Sequence, residues 1–143
     1  MRKHILLLIT LLATLEVTAQ NNENFYFSNL NLKDGLSQIS VLKIFQDTKG
    51  FIWFGTRNGL NRYDGSEFVI YKHDPKDSLT LSDNHIWSLA EDNDRNLWIG
   101  TARGLNKLDL KTNRIKPFVD ERYGAFAKSE VRCLTRDSRN RLW

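Results

Sequence analysis

The chain has 143 residues, which is room for one ordinary domain, and its 41% hydrophobic and 27% charged residues are typical of a globular protein. The net charge of +4 is small and evenly spread along the chain, which argues against nucleic-acid binding by this region. The single cysteine, Cys133, excludes an intramolecular disulfide.

The first 19 residues have the features of a secretory signal peptide. A short basic segment at residues 1–4 precedes an apolar run at residues 5–15. Val17 and Ala19 then place small or medium-sized side chains at positions −3 and −1 of a cleavage site. The run is shorter than the ~20 residues that span a bilayer, so we predict cleavage after Ala19, with an uncleaved anchor as the alternative. In both cases the rest of the chain is expected outside the cytoplasmic membrane, with no later membrane span.

The remaining sequence repeats itself at a step of 45 residues. Residues 44–64 align with residues 89–109 without a gap, and eight of the 21 pairs are identical. The identical pairs are Asp47/Asp92, Trp53/Trp98, Gly55/Gly100, Thr56/Thr101, Gly59/Gly104, Leu60/Leu105, Asn61/Asn106 and Asp64/Asp109. A third copy begins at the same spacing, with Asp137 and Trp143, and is expected to be cut short there. A register this long indicates a repeat architecture.

Each period predicts four short strands separated by turns. The predicted strands lie at residues 41–45, 51–54, 60–63 and 67–71 in the first period, and at 86–90, 97–99, 105–108 and 115–119 in the second. Asp47 and Gly50 indicate a tight turn, because aspartate bonds the backbone two residues on and glycine tolerates positive φ. Arg95 replaces this glycine in the second copy, where we expect Asn96 to adopt the positive φ.

Four antiparallel strands in a meander make one propeller blade, so the predicted fold is all-β, with blades of 45 residues in an incomplete propeller. The Gly-His and Trp-Asp dipeptides of WD40 blades are absent, and the ~50-residue kelch period does not match. A signal peptide at 1–19, a lead-in at 20–38 with a candidate closing strand at 25–30, a first blade at 39–83, a second at 84–128 and the start of a third at 129–143 complete the predicted organisation.

The repeated side chains are predicted to be scaffold, because a blade covered on both faces needs large apolar residues, close backbone approach and bonded turns. The residues assigned to this structural repeat are Asp47, Trp53, Gly55, Thr56, Gly59, Leu60, Asp64, Asp92, Trp98, Gly100, Thr101, Gly104, Leu105, Asp109, Asp137 and Trp143.

No residue is predicted to be catalytic, to bind a cofactor or to ligate a metal. The aspartates recur at turns, His73 and His85 lie in or near loops, and no metal-ligand spacing is present. The aromatic side chains outside the repeated core, Trp87, Tyr123 and Phe126, are the candidates for ligand contact. Packing between blades is the alternative role for Trp87.

Residues 47–64 read Asp-x-x-Gly-x-x-Trp-x-Gly-Thr-x-x-Gly-Leu-Asn-x-x-Asp, a pattern that resembles the two-component regulator propeller repeat. Residues 32–38, Leu-Lys-Asp-Gly-Leu-Ser-Gln, resemble the segment that precedes the first such repeat, and the resemblance covers residues ~25–143. It implies the periplasmic sensor domain of a membrane-anchored hybrid histidine kinase of Bacteroidetes.

The same resemblance implies that the full-length protein is a homodimer that responds to oligosaccharides and regulates transcription through a phosphorelay. Three alternatives stay open at this point. The propeller feeds a different output, such as a diguanylate cyclase or a DNA-binding regulator, or it is structural or adhesive, or it is an exported enzyme that needs convergent carboxylates or a histidine-based site.

Overall fold

The computed structural model describes residues 27–120, 122 and 128–143, and within them the chain forms two four-stranded antiparallel sheets, each in chain order. The first sheet contains β1 (Val41–Gln46), β2 (Ile52–Thr56), β3 (Gly59–Tyr63) and β4 (Phe68–Tyr71). The second contains β5 (Ile86–Glu91), β6 (Asn96–Thr101), β7 (Gly104–Asp109) and β8 (Arg114–Pro117). The all-β fold and the predicted four-stranded meander are confirmed.

The lead-in and the third copy contain less regular structure. A short 3₁₀ helix, Leu32–Asp34, precedes the first sheet, and an isolated bridge joins Arg136 to Leu142 in the third copy. Residues 27–30 of the candidate closing strand belong to neither sheet. The predicted signal peptide lies outside the described residues. No helix within the described ranges is both long and apolar enough to cross a membrane.

The two sheets share one register. The pairing of Val41 with Thr56 recurs 45 residues later as the pairing of Ile86 with Thr101, and each first strand has a β-bulge directly after its first residue. The last hairpin differs. Tyr63 pairs with Phe68 in the first sheet, whereas the equivalent Leu108 pairs with Ile115, two residues further along the chain than a step of 45 residues would place its partner. The sequence repeat therefore fixes three strands of each blade more closely than the fourth.

The first turn of each copy contains one residue with positive φ. That residue is Gly50 with φ 91°, Arg95 with φ 68° and Asn140 with φ 61°. The expectation for Asn96 is wrong, because Asn96 is the first residue of β6. Its backbone N–H donates to the Asp92 carboxylate. The turn length is set by the aspartate, so the residue three positions later takes the left-handed conformation whatever its side chain.

The apolar core lies between the two sheets, where β5 contacts both β1 and β2. Its buried members are Trp53, Leu60, Leu81, Ile86, Leu89, Leu97, Ile99 and Leu108. Trp53 is completely buried, whereas Trp98, at the same position of the second blade, is half-buried. The difference arises because the second sheet covers the first, while residues 128–143 cover only part of the second.

Glycine allows each blade to approach the next. A Cβ atom on Gly55 would lie 2.8 Å from Cγ2 of Ile86, the first residue of the following sheet. A Cβ atom on Gly100 would lie 2.4 Å from the carbonyl oxygen of Val131, which stands 45 residues after Ile86. Real Cβ atoms do not approach other atoms this closely, so both positions require glycine for packing between blades.

Candidate functional site

An aspartate and a tryptophan six residues apart form the same hydrogen bond in all three copies. One carboxylate oxygen accepts backbone N–H groups of the turn, and the other accepts the indole N–H. The N···O distances are 2.8 Å for Trp53 to Asp47, 2.8 Å for Trp98 to Asp92 and 3.1 Å for Trp143 to Asp137. These side chains hold the first hairpin of each blade and leave few free oxygens for a ligand.

A second recurring cluster lies at the opposite end of each sheet. Thr56 donates to the carbonyl oxygen of Gly59 at 2.8 Å, and the buried Asn61 side chain accepts the backbone N–H of Ser37 at 2.8 Å. The same contacts recur at Thr101, Gly104, Asn106 and Ser82. Neither serine was among the residues predicted from the sequence, although the Leu-Ser pair at residues 36–37 recurs at residues 81–82 and indicates both of them.

The turn aspartates are held as carboxylates. Backbone N–H groups of Glu67 and Ser66 lower the pKa of Asp64 to about 2, and the backbone N–H of Lys111 is the main cause that lowers the pKa of Asp109. A general acid at neutral pH needs a carboxyl whose pKa is raised, so these two groups are unsuited to that role. Within the described ranges, no three histidine, cysteine or acidic side chains are placed to hold a metal ion.

Trp87 is the predicted ligand-contacting residue whose position is described. It occupies the bulge of β5, where it has no partner in the register with β6 and is half-buried. The His85 ring stacks on the indole at 4.1 Å between centroids, and the Arg132 guanidinium lies over the indole at 5.4 Å. Glu130 forms an ion pair with Arg132 at 3.0 Å. We refer to these four residues as the rim.

Two polar atoms of the rim lack hydrogen bonds. The indole Nε1 of Trp87 and the Nε2 of His85 are buried, and neither has a hydrogen-bond partner among the described residues. Unpaired buried polar atoms are uncommon and indicate a bound water, an ion or a functional role. Tyr123 and Phe126, the other two predicted contacts, lie outside the described residues.

The rim differs from the repeated scaffold in one informative way. The bulge position is leucine, tryptophan and arginine in the three copies, at Leu42, Trp87 and Arg132, whereas the surrounding glycines and threonines recur unchanged. Bulges redirect a side chain without disturbing the rest of the ladder, and they are frequent next to functional sites. A position that varies in chemistry within a constant frame is suited to ligand recognition.

Comparison with known proteins identifies the repeat. The family described as "Two component regulator propeller" matches residues 35–58 and 80–103. Among solved structures, the chain is similar to the extracellular domain of a protein described as a hybrid two component system, BT3049 of B. thetaiotaomicron, with a TM-score of 0.70 and 30% identity over 81% of this chain and 17% of that one. The extracellular domain of BT4673 of the same organism gives a TM-score of 0.54 and 30% identity over 73% of this chain and 14% of that one.

A curated relative agrees with these matches. The chain is 51% identical over 61 residues to histidine kinase P4 of Formosa agariphila, a match that covers 43% of this chain and 4% of the relative. The chain thus spans less than a fifth of the length of each of these proteins. Its 45-residue blades, its shared register and the two matched segments lead to one conclusion: the chain contains repeats of the two-component regulator propeller family, at residues 35–58 and 80–103.

Proposed function

We propose that these blades form part of the extracytoplasmic sensor domain of a two-component system, at the periplasmic face of the inner membrane. The observation that carries this proposal is the likeness, over 81% of the chain, to the extracellular domain of a protein described as a hybrid two component system. The match to a histidine kinase supports the same output. The blades supply a binding wall, and signalling belongs to other domains of the gene product.

The ligand proposed for this sensor is an oligosaccharide that contacts the rim. Sugars present apolar ring faces that pack on aromatic side chains, and hydroxyl groups that accept hydrogen bonds. Trp87 offers a half-buried indole, and Arg132 offers a guanidinium that is 73% exposed. Tyr123 and Phe126 are proposed as further contacts because they precede Glu130 of the rim by only a few residues in the sequence.

We further propose that the full-length protein is a homodimeric histidine kinase that regulates transcription through a phosphorelay. This region itself is proposed to be non-enzymatic, because the carboxylates of its recurring aspartates accept hydrogen bonds from backbone N–H groups of the turns. A diguanylate cyclase or a DNA-binding regulator as output remains the second candidate. It would use the same propeller but would incorporate no phosphate from ATP into the protein.

Autophosphorylation of the full gene product tests the sensor function. The purified protein in membranes would be incubated with radiolabelled ATP and a panel of defined neutral and acidic oligosaccharides. We expect one oligosaccharide class to change the rate of phosphate incorporation, and Trp87→Ala to abolish that change while basal incorporation persists. A ligand present at about 100 times its Kd should also stabilise the propeller by about 2.7 kcal/mol.

The matched control for this experiment is Leu79→Ala, a truncation of an exposed apolar residue in the connection between blades. Leu79→Ala should leave the oligosaccharide response intact. Incorporation of phosphate that no oligosaccharide alters would refute the proposed ligand class. Absence of any incorporation from ATP would refute the kinase output and favour a different output domain.

A further inference from the structure

A second concave surface lies at the turn end of the first strands, away from the rim. β1 and β5 contact each other, and residues 134–136 of the third copy lie beside them. Between them is a groove of about 750 Å³. We define this groove by the charged residues that line it, which are Lys43, Glu91, Asp92, Arg95 and Arg136.

The two arginine side chains of the groove lack anionic partners in the hydrogen bonds described here. Arg95 lines the groove, and its Nε and Nη2 atoms are buried without a hydrogen-bond partner among the described residues. A guanidinium carries five donors and keeps its charge, so burial without an acceptor is unfavourable unless an anion or water supplies one. Arg136 donates to the neutral side chain of Asn93, which leaves its charge uncompensated by that contact.

Both carboxylates of the groove are engaged in hydrogen bonds. Glu91 accepts from the backbone N–H and the hydroxyl of Thr48, one donor on each oxygen and each at 2.8 Å. Asp92 accepts from the backbone and amide of Asn96 and from the indole of Trp98. Burial raises the pKa of Asp92, but these hydrogen bonds outweigh it and lower the pKa overall, so the group is a carboxylate that faces its own turn.

We propose that this groove is a binding site for an oxyanion, either a sulfate or the carboxylate of an acidic saccharide, with Arg95 as its principal ligand and Lys43 and Arg136 as supporting cations. Guanidinium groups bind such anions through paired N–H donors. The site does not depend on the proposed sensor function, because its charges attract an oxyanion whatever the output domain is. It is also separate from the rim, which contains neither Arg95 nor Lys43.

Arg95→Gly is a favourable test variant, because it removes the guanidinium and suits the backbone. Arg95 has φ 68°, and the equivalent residue of the first blade is Gly50, with φ 91°. The variant therefore reproduces the turn of the first blade and is expected to fold. Arg95→Lys is the second variant, which keeps the positive charge and loses the paired geometry.

Isothermal titration calorimetry on the full gene product measures the binding. One arm uses sodium sulfate and the other uses a short galacturonate oligosaccharide, both at constant ionic strength maintained with sodium chloride. We expect saturable binding in at least one arm, weakened by about tenfold or more in Arg95→Gly and by less in Arg95→Lys. Binding of galacturonate alone would assign the groove to acidic saccharides, and binding of sulfate alone would assign it to small oxyanions.

Arg103→Gln is the matched control, since Arg103 is an exposed arginine at the opposite end of the second blade and is paired with Asp83 at 3.6 Å. It should not change the affinity in either arm. The absence of saturable binding in both arms would overturn the proposal. Affinity that is unchanged in a folded Arg95→Gly protein, or reduced equally by Arg103→Gln, would also overturn it, because net charge would then explain the result. A full gene product that binds the anion but has no kinase activity would count against the proposed sensor function and not against the anion site.

Discussion

Thr48 and Glu91 join the two blades across 43 positions of sequence. The backbone N–H and the hydroxyl of Thr48, in the first turn of blade one, both donate to the Glu91 carboxylate at the end of β5, each at 2.8 Å. The contact recurs 45 residues later with different chemistry, because the Arg136 guanidinium donates to Asn93. The turn of one blade and the first strand of the next therefore form a repeated connection whose side chains are free to vary.

Truncation of Glu91 should loosen this connection. Glu91 is 6% exposed, and Glu91→Ala leaves the Thr48 donors without their acceptor, so we expect a loss of about 2 kcal/mol in the local stability of the blade junction. Hydrogen exchange of peptides covering residues 86–101 in the full gene product measures the loss. The control is Gln46→Ala, 45 residues earlier and exposed, which should change stability by less than about 0.5 kcal/mol. Equal effects of the two variants would contradict the assigned connection.

A methyl group on Gly55 should push the two blades apart. The added Cβ would meet Cγ2 of Ile86 at 2.8 Å, and overpacking of this kind costs about 1–3 kcal/mol. We expect Gly55→Ala to lower the unfolding temperature of the propeller in differential scanning calorimetry. Ile86→Ala in the same chain removes the clashing atom, so the double variant should lose less than the sum of the two single variants. Simple additivity would show that Gly55 has no packing role here.

Removal of the hydrogen bond between tryptophan and aspartate should cost more stability in the first blade than in the second. Trp53→Phe keeps a ring but removes the donor to Asp47, a carboxylate that is 5% exposed, and should cost about 1–3 kcal/mol. Trp98→Phe removes the same bond at a half-buried position and should cost less. Urea unfolding followed by hydrogen exchange in each blade compares the two. A larger cost at Trp98 would contradict the burial difference described above.

Acid should weaken the turns within a defined range of pH. The pKa of Asp64 is about 2 in the folded chain against an ordinary value of 3.8, so folding favours its carboxylate form. Its contribution to stability is complete above the unfolded value near 3.8 and is lost as the pH falls through the folded value near 2. Thermal unfolding measured from pH 7 to pH 2, values that bracket this window, should show the decline. Asp64→Asn should flatten part of it, and an unchanged profile would exclude Asp64 as a cause.

Local chemistry made much of the blade predictable. The turn aspartates, their backbone bonds and the strand order all follow from contacts within a few residues, which the 45-residue step displays twice. The wrong expectation for Asn96 arose because residue type alone was used to choose the positive-φ position. The hairpin geometry instead assigned it to Arg95, three residues after the aspartate.

The repeat, the four-stranded meander and the recurring residues were predictable from the sequence alone, because they depend on hydrogen bonds and alternation inside one blade. The folded chain was needed to show which copy of a shared residue is buried and that Glu91 reaches Thr48. It was also needed to show that Nε and Nη2 of Arg95 have no hydrogen-bond partner among the described residues. Identical motifs become unequal because burial depends on what packs against a blade, and the contacts between blades join residues more than 40 positions apart.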